Sequence, residues 1–208
     1  MRGMTRAFRD TFGVERAFEG THFGGRTDSF LVSHALQVAG LPDTLEQHER
    51  FKSAYLPLLA EEIGQPGTGH KGLMPGVREL LDALSAFPDV YLALLTGNYR
   101  DAAAIKLAHF EIADYFEWGA FSDDSPDRNA LVPIARGRAE TYDVPAAALD
   151  RIIVIGDTPH DIACAKAGGA RSIAVATGGY SVDDLHAAGA EEVVADLSAT
   201  EAVISLLI

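Results

Sequence analysis

The sequence contains a single cysteine, Cys164, so no disulfide can form within the chain, and a reducing cytoplasm is the expected setting. Cys164 falls where a helix is expected to pack on a sheet, which marks it as a buried structural thiol rather than a nucleophile. Positive charge is also short: 17 Lys and Arg stand against 30 Asp and Glu, for a net charge of −13. Such an excess is repelled by backbone phosphates and excludes nucleic acid as an expected partner. A small phosphate ester stays open, because a bound cation can invert the local field. No apolar run approaches the roughly 20 residues that span a bilayer, and the basic, amphipathic N-terminus lacks a signal-peptide core. No membrane association is therefore expected. Internal repeats and low-complexity tracts are missing as well.

What is present belongs to a globular protein: 208 residues, 48% of them hydrophobic, enough for one domain with an insertion or two modest domains. Residues 1–72 carry helical periodicity and no strand pattern. Met4, Ala7, Phe8, Thr11 and Phe12 recur at helix spacing before Gly13, a C-terminal stop signal. A glycine-rich loop, Gly20 to Asp28, precedes a second helix through Val38, and a third is predicted from Pro42 to Ile63. Arg26 in that loop could reach an anionic substrate, although a solvated residue or a helix cap is the commoner use of a bare arginine. His22, His34 and His48 lack ligand spacing. Gly64 to Gly72 is a composition break that reads as a hinge.

From residue 73 onward strands alternate with helices. A helix beginning at Pro75 is followed by a strand from Asp89 to Leu95, which ends in Thr96-Gly97-Asn98. A hydroxyl and exposed backbone N–H groups at a strand end can hold a phosphate oxygen, and a plain polar turn fits the same residues. The next helix, Tyr99 to His109, carries Lys106. A short strand at 118–121 and an acidic loop lead to Arg128 in the first turn of a helix, where a cation opposes the helix dipole. Ile152 to Ile155 then read as a strand buried on both faces. Gly156 allows a sharp turn, Asp157 stands at the carboxyl end of that strand, and Asp161 lies in the first turn of the next helix. Two carboxylates so placed can converge on a hard cation such as Mg²⁺, and they also fit a turn residue and a helix start. Strands at 172–175 and 193–194 and helices at 181–188 and up to Leu207 complete the pattern.

Strand-Thr96-Gly-Asn, a basic residue, and strand-Gly-Asp157-x-x-x-Asp161, in that order, resemble motifs two to four of the haloacid dehalogenase-like (HAD) hydrolases. Met74-Pro-Gly-Val-Arg-Glu-Leu-Leu81 and Gly168-Gly-Ala resemble the phosphoglycolate phosphatase-like branch. The resemblance implies an α/β fold with residues 1–72 as a helical cap and 73–208 as a Rossmann-like core. It implies phosphate-ester hydrolysis through an aspartyl-phosphate with Mg²⁺ as cofactor. Thr96 would bind the phosphoryl oxygens with Gly97 and Asn98 beside it, Asp157 and Asp161 would hold the metal, and Lys106 or Arg128 would be the basic residue.

The family's first motif, an apolar strand ending in Asp-x-Asp-x-Thr, has no counterpart. Residues 1–13 contain no apolar strand, Asp10 lies inside a helical pattern, and Asp196 follows a short run that fits a final edge strand. The expectation is a shortened phosphatase, inactive for want of its nucleophile. Its sheet should lack a central strand, and each buried backbone group left unpaired would cost about 1–3 kcal/mol. The alternatives are a non-catalytic phosphate- and metal-binding regulatory protein, then a 2-haloacid dehalogenase or a phosphomutase. Substrate and oligomeric state are not written in these residues.

Overall fold

The computed structural model describes residues 2–66 and 72–208; the middle of the expected hinge, 67–71, lies outside the described residues. The first segment is helical, as its periodicity demands. Helix α1, Arg2–Phe12, buries Met4, Ala7 and Phe8, and Gly13 ends it at φ 73°. Helix α2, Asp28–Val38, is capped by Thr27, whose hydroxyl accepts the Phe30 N–H at 3.2 Å. Helix α3, Leu45–Glu62, starts at Thr44 in the same way, a little later than Pro42 suggested.

Their apolar faces meet in one cluster in which Phe8, Phe51, Val32 and Leu36 are fully buried. Each such side chain contributes about 1.5–3 kcal/mol through burial. Tyr99 and Ala102 belong to the same cluster. Ala102 lies in helix α5, Arg100–His109, which thereby joins the helical layer to the strands.

The second segment alternates as expected, in the order α4 (Val77–Ser85), β1 (Leu94–Leu95), α5, β2 (Gly119–Ala120), α6 (Leu131–Ala139), α7 (Ala146–Leu149), β3 (Ile153–Gly156), α8 (Pro159–Ala167), β4 (Arg171–Val175), α9 (Val182–Ala187), β5 (Glu192–Val194) and α10 (Thr200–Leu207). Helix α4 begins two residues after Pro75, behind Gly76 at φ 79°, and α7 carries too short a pattern to be foreseen. All ladders are parallel. Strand β1 pairs with β2, and β3, β4 and β5 form a second sheet in that order. The alternation and the parallel pairing make this an α/β fold.

Among the described residues no ladder joins β1 to β3. In a parallel ladder, alternate residues address each neighbour. Leu94 and Thr96 donate to Trp118 and Ala120 of the β2 side at 3.0 and 3.1 Å, so the backbone of Leu95 faces the other way. Ile152 accepts from Arg171 of β4 at 3.0 Å, so Ile153 and Ile155 also turn their backbone groups away from β4. An apolar cleft of about 700 Å³ is lined by both edges, by Leu80 of α4 and by Leu207 of α10.

This corrects two expectations. The strand at 152–155 is not buried on both faces: Val154 is buried, whereas Ile155 is 37% exposed. The strands expected over 89–95 and 118–121 contract to two residues each, because each has a ladder partner on one edge alone. Residues 2–12, in turn, form helix and not a central strand. No helix of the described residues is long and apolar enough to cross a membrane.

Candidate active site

Thr96 directly follows β1 and Asp157 directly follows β3, so both stand at the carboxyl ends of parallel strands, where open α/β sheets place their ligands. A pocket of about 300 Å³ opens there. Thr96, Gly97, Asn98, Lys106, Arg128, Asp157 and Asp161 line it from the strand side, and Arg26 from the helical side. The eight residues singled out in the sequence thus border one space.

The Thr96 hydroxyl accepts the Asn98 N–H at 3.2 Å, which leaves its own proton free to donate. Gly97 sits under the loop that precedes α2: a side chain there would collide with the Arg26 carbonyl and with Arg128. Asn98 accepts from the Lys106 ammonium at 2.9 Å, so Lys106 is half-buried and turned toward the site rather than lying on an exposed helix face. Burial lowers the Lys106 pKa below its ordinary value, against the pull of Asp28. Arg26 is exposed, with its guanidinium 4.7 Å from the centre of the Phe30 ring.

Arg128 opens a 3-10 turn, Arg128–Ala130, that leads into α6. Its expected conflict with the helix dipole is offset by Asp161: Nη2 lies 2.5 Å from Asp161 Oδ1, with both side chains largely buried. Nη1 reaches the Gly25 carbonyl at 3.4 Å, while Nε is buried without a partner.

Asp161 is committed on its other oxygen too. Oδ2 accepts the Thr158 N–H at 3.0 Å and the Thr158 hydroxyl at 2.7 Å, which closes a capping box at the start of α8. Gly156 makes room for this arrangement, since any side chain there would overlap the Asp161 carboxylate. Asp157 differs. It is half-buried and takes no hydrogen bond from another described side chain, and its pKa is pushed up first by burial and then by the Asp161 charge.

The sequence concealed several members of the site. Asp28, 4% exposed, lines the pocket, and its position behind Thr27 reads from sequence as an ordinary helix start. Tyr55 closes the helical side. His48, which has no ligand spacing, connects the layers: Nδ1 lies 3.0 Å from the Tyr99 hydroxyl and Nε2 2.8 Å from Asp43. Cys164 is buried, as expected, with its thiol 2.9 Å from the Arg128 carbonyl. Asp196 follows the edge strand β5 and accepts the Ser198 N–H at 2.8 Å, away from the pocket.

Among the described residues no group of three or more His, Cys, Asp or Glu is placed to share a metal ion. The donor set that exists is Asp157 with Asp161 behind it. It is oxygen-only and suits a hard cation that takes one or two carboxylates and fills its shell with water and phosphate oxygens.

Known proteins resemble this chain in one stretch of sequence and in fold. Residues 131–200, which include Asp157 and Asp161, match the family model described as HAD-hydrolase-like. No curated protein matches the chain. Among solved structures, a hydrolase from Pseudomonas syringae aligns over 99% of this chain and 92% of its own at 20% identity, with a TM-score of 0.67. A predicted phosphoglycolate phosphatase from Haemophilus somnus aligns over 98% and 89% at 18% identity, TM-score 0.65. CbbY from Rhodobacter sphaeroides, solved in complex with phosphate, aligns over 95% and 88% at 19% identity, TM-score 0.65. The chain is HAD-hydrolase-like in sequence over residues 131–200 and shares its fold along its length with these solved structures.

Proposed function

We propose that this pocket binds the phosphoryl group of a small phosphate ester together with Mg²⁺, the task of a HAD-type phosphatase site. The observation that carries the proposal is the convergence of the free Thr96 hydroxyl proton, the cations Lys106 and Arg128 and the acids Asp157 and Asp161 beside the carboxyl ends of β1 and β3. Arg128 Nε, buried without an acceptor, is a donor that an anion would satisfy. The pocket volume of about 300 Å³ suits a compact ester.

The residues fit the metal. Asp157 would hold it directly, and Asp161, whose oxygens are taken by Arg128 and Thr158, would act through water. When bound, Mg²⁺ supplies neutralisation of charge on the phosphoryl oxygens. Around it, Thr96 donates to one oxygen, and Arg128 offers a fork where Lys106 offers a point charge.

Of the acids that line the pocket, Asp161 and Asp28 are already hydrogen-bonded, and Asp157 is the metal ligand. None is left to attack phosphorus. Losing a nucleophile costs on the order of 10⁶ in kcat. We therefore propose phosphate and metal binding with negligible turnover for this chain, which also suits a non-catalytic, phosphate-sensing protein. Paired acids serve no purpose in a 2-haloacid dehalogenase site, which places that activity lower.

The test is Mg²⁺-dependent hydrolysis of an aryl phosphate alongside a thermal-shift titration with orthophosphate. A phosphate-dependent rise in Tm without turnover is expected. Absence of any phosphate-dependent rise in Tm would overturn the proposal, and turnover that survives Asp157→Ala would mean that another residue runs the chemistry.

A further inference from the structure

Asp28 is out of place in a pocket for an anion, because a buried carboxylate repels phosphate. The chain nevertheless fixes it there firmly. Its own N–H donates to the Gly97 carbonyl at 2.6 Å, and its Oδ2 accepts the Tyr99 N–H at 2.9 Å. The residues on either side are anchored to the strand layer as well. The Thr27 hydroxyl donates to the Pro126 carbonyl at 2.7 Å, and the Ser29 N–H donates to the Ser122 hydroxyl at 2.6 Å. Thr27, Asp28, Ser29 and Ser122 are all buried.

The Asn98 amide connects this carboxylate to the site. Its Nδ2 faces both Asp28 oxygens at 3.5 and 3.4 Å, and its Oδ1 accepts the Lys106 ammonium at 2.9 Å. Burial raises the Asp28 pKa, while the Lys106 charge and the bonds from the Tyr99 N–H and Asn98 pull it back down. As a carboxylate on the Nδ2 side, Asp28 fixes which way the amide points and polarises its oxygen toward the ammonium. With one of its three protons held by Asn98, the ammonium keeps two for the pocket.

We propose that Asp28 is a positioning residue: carried on helix α2, it acts through the Asn98 amide to set Lys106 where the phosphoryl group binds. The consequence is coupling between layers, since Lys106 is organised only when the start of α2 is seated on the Thr96–Asn98 turn. The placement of Lys106 is a property of the free protein. Its use on phosphate rests on the function proposed above.

The test compares wild type with Asp28→Asn, which keeps the shape and can still accept the Tyr99 N–H but loses the charge. The first readout needs no ligand: the ¹H–¹⁵N resonance of the Lys106 ammonium, identified by its disappearance in Lys106→Met. It should be sharp in wild type and exchange-broadened or shifted in Asp28→Asn. The second readout is orthophosphate affinity in the presence of Mg²⁺. It should fall about tenfold, the size of one charge-assisted hydrogen bond, and show no further loss on adding Asp28→Asn to Lys106→Met.

An unchanged ammonium signal overturns the inference whatever the affinity does, and so do losses that simply add. If wild type binds no phosphate yet its ammonium responds to Asp28→Asn, the proposed function fails and the positioning stands. Should Asp28→Asn fail to fold, Asn98→Ala removes the bridge with Asp28 left in place, and the same two readouts decide.

Discussion

At the scale of single residues the site separates two acids that look alike in sequence. Asp161 is saturated by Thr158 and Arg128, whereas Asp157 is half-buried, takes no hydrogen bond from another described side chain and is raised in pKa by burial and by Asp161. A carboxyl held in that state is costly to the fold, a cost that the cation proposed for it would relieve. Saturating Mg²⁺ should therefore stabilise the protein, by about 2.7 kcal/mol at a hundredfold excess over Kd, which is several degrees in Tm. Asp157→Asn should abolish that response in a thermal melt. The same substitution should make the metal-free protein slightly more stable at neutral pH. A folded pKa above the ordinary 3.8 gives stability that is complete below 3.8 and lost as the pH rises through the folded value. The advantage of the Asp157→Asn variant over wild type should thus shrink as urea melts are repeated toward pH 3.8.

Among the elements, the turn into α8 binds fold to site. Thr158 caps the helix and holds Asp161, so Thr158→Ala should cost about 1–2 kcal/mol and also release Asp161 from its pose. Urea denaturation gives the first effect, and weaker Mg²⁺ stabilisation gives the second.

A second brace closes the exit of β2. Burial works to raise the Asp124 carboxyl, but bonds from Arg138 and the Phe121 N–H outweigh it and hold its pKa below 3.8. Arg138 also donates to the Gly119 carbonyl at 2.7 Å. Asp124→Ala should cost about 2 kcal/mol, less than a fully buried pair because Arg138 is partly exposed. The lowered pKa means that the contribution is present above pH 3.8 and lost as the pH falls through the folded value, so the gap between wild type and mutant should close in acid.

Helices were easy to read at this scale because their apolar stripes persist for several turns, although α3 starts behind Thr44 and not at Pro42. Strands were harder. Leu92 to Leu95 is apolar enough for a longer strand, yet ladder length depends on neighbours that no local pattern specifies. Asp28 stayed hidden for a related reason: an acid after a capping threonine has an ordinary local use, and its reach to Asn98 is set by chain seventy residues away.

Across the whole molecule, a helical layer with its own aromatic core sits on a strand layer whose two sheets share no ladder among the described residues. Tyr99 ties them, packed into the cluster of Phe51 and hydrogen-bonded to His48. Phe51→Ala should cost about 3–5 kcal/mol, since the ring is fully buried and its space cannot collapse onto neighbouring aromatics. The motif residues were legible because Thr96, Asp157 and Asp161 sit at strand ends and a helix start, where sequence and topology agree. The exposed Ile155 was not, because its burial would require a strand between β1 and β3 that the described residues do not supply.

The central claim is that this pocket binds phosphate through Mg²⁺ held at Asp157. Calorimetric titration of orthophosphate into the protein, with and without Mg²⁺ and in wild type against Asp157→Asn, tests it most directly. The account predicts binding by wild type that strengthens with Mg²⁺, and a variant indifferent to the metal. Equal affinity in all four titrations, or no binding by wild type with Mg²⁺ present, would contradict it.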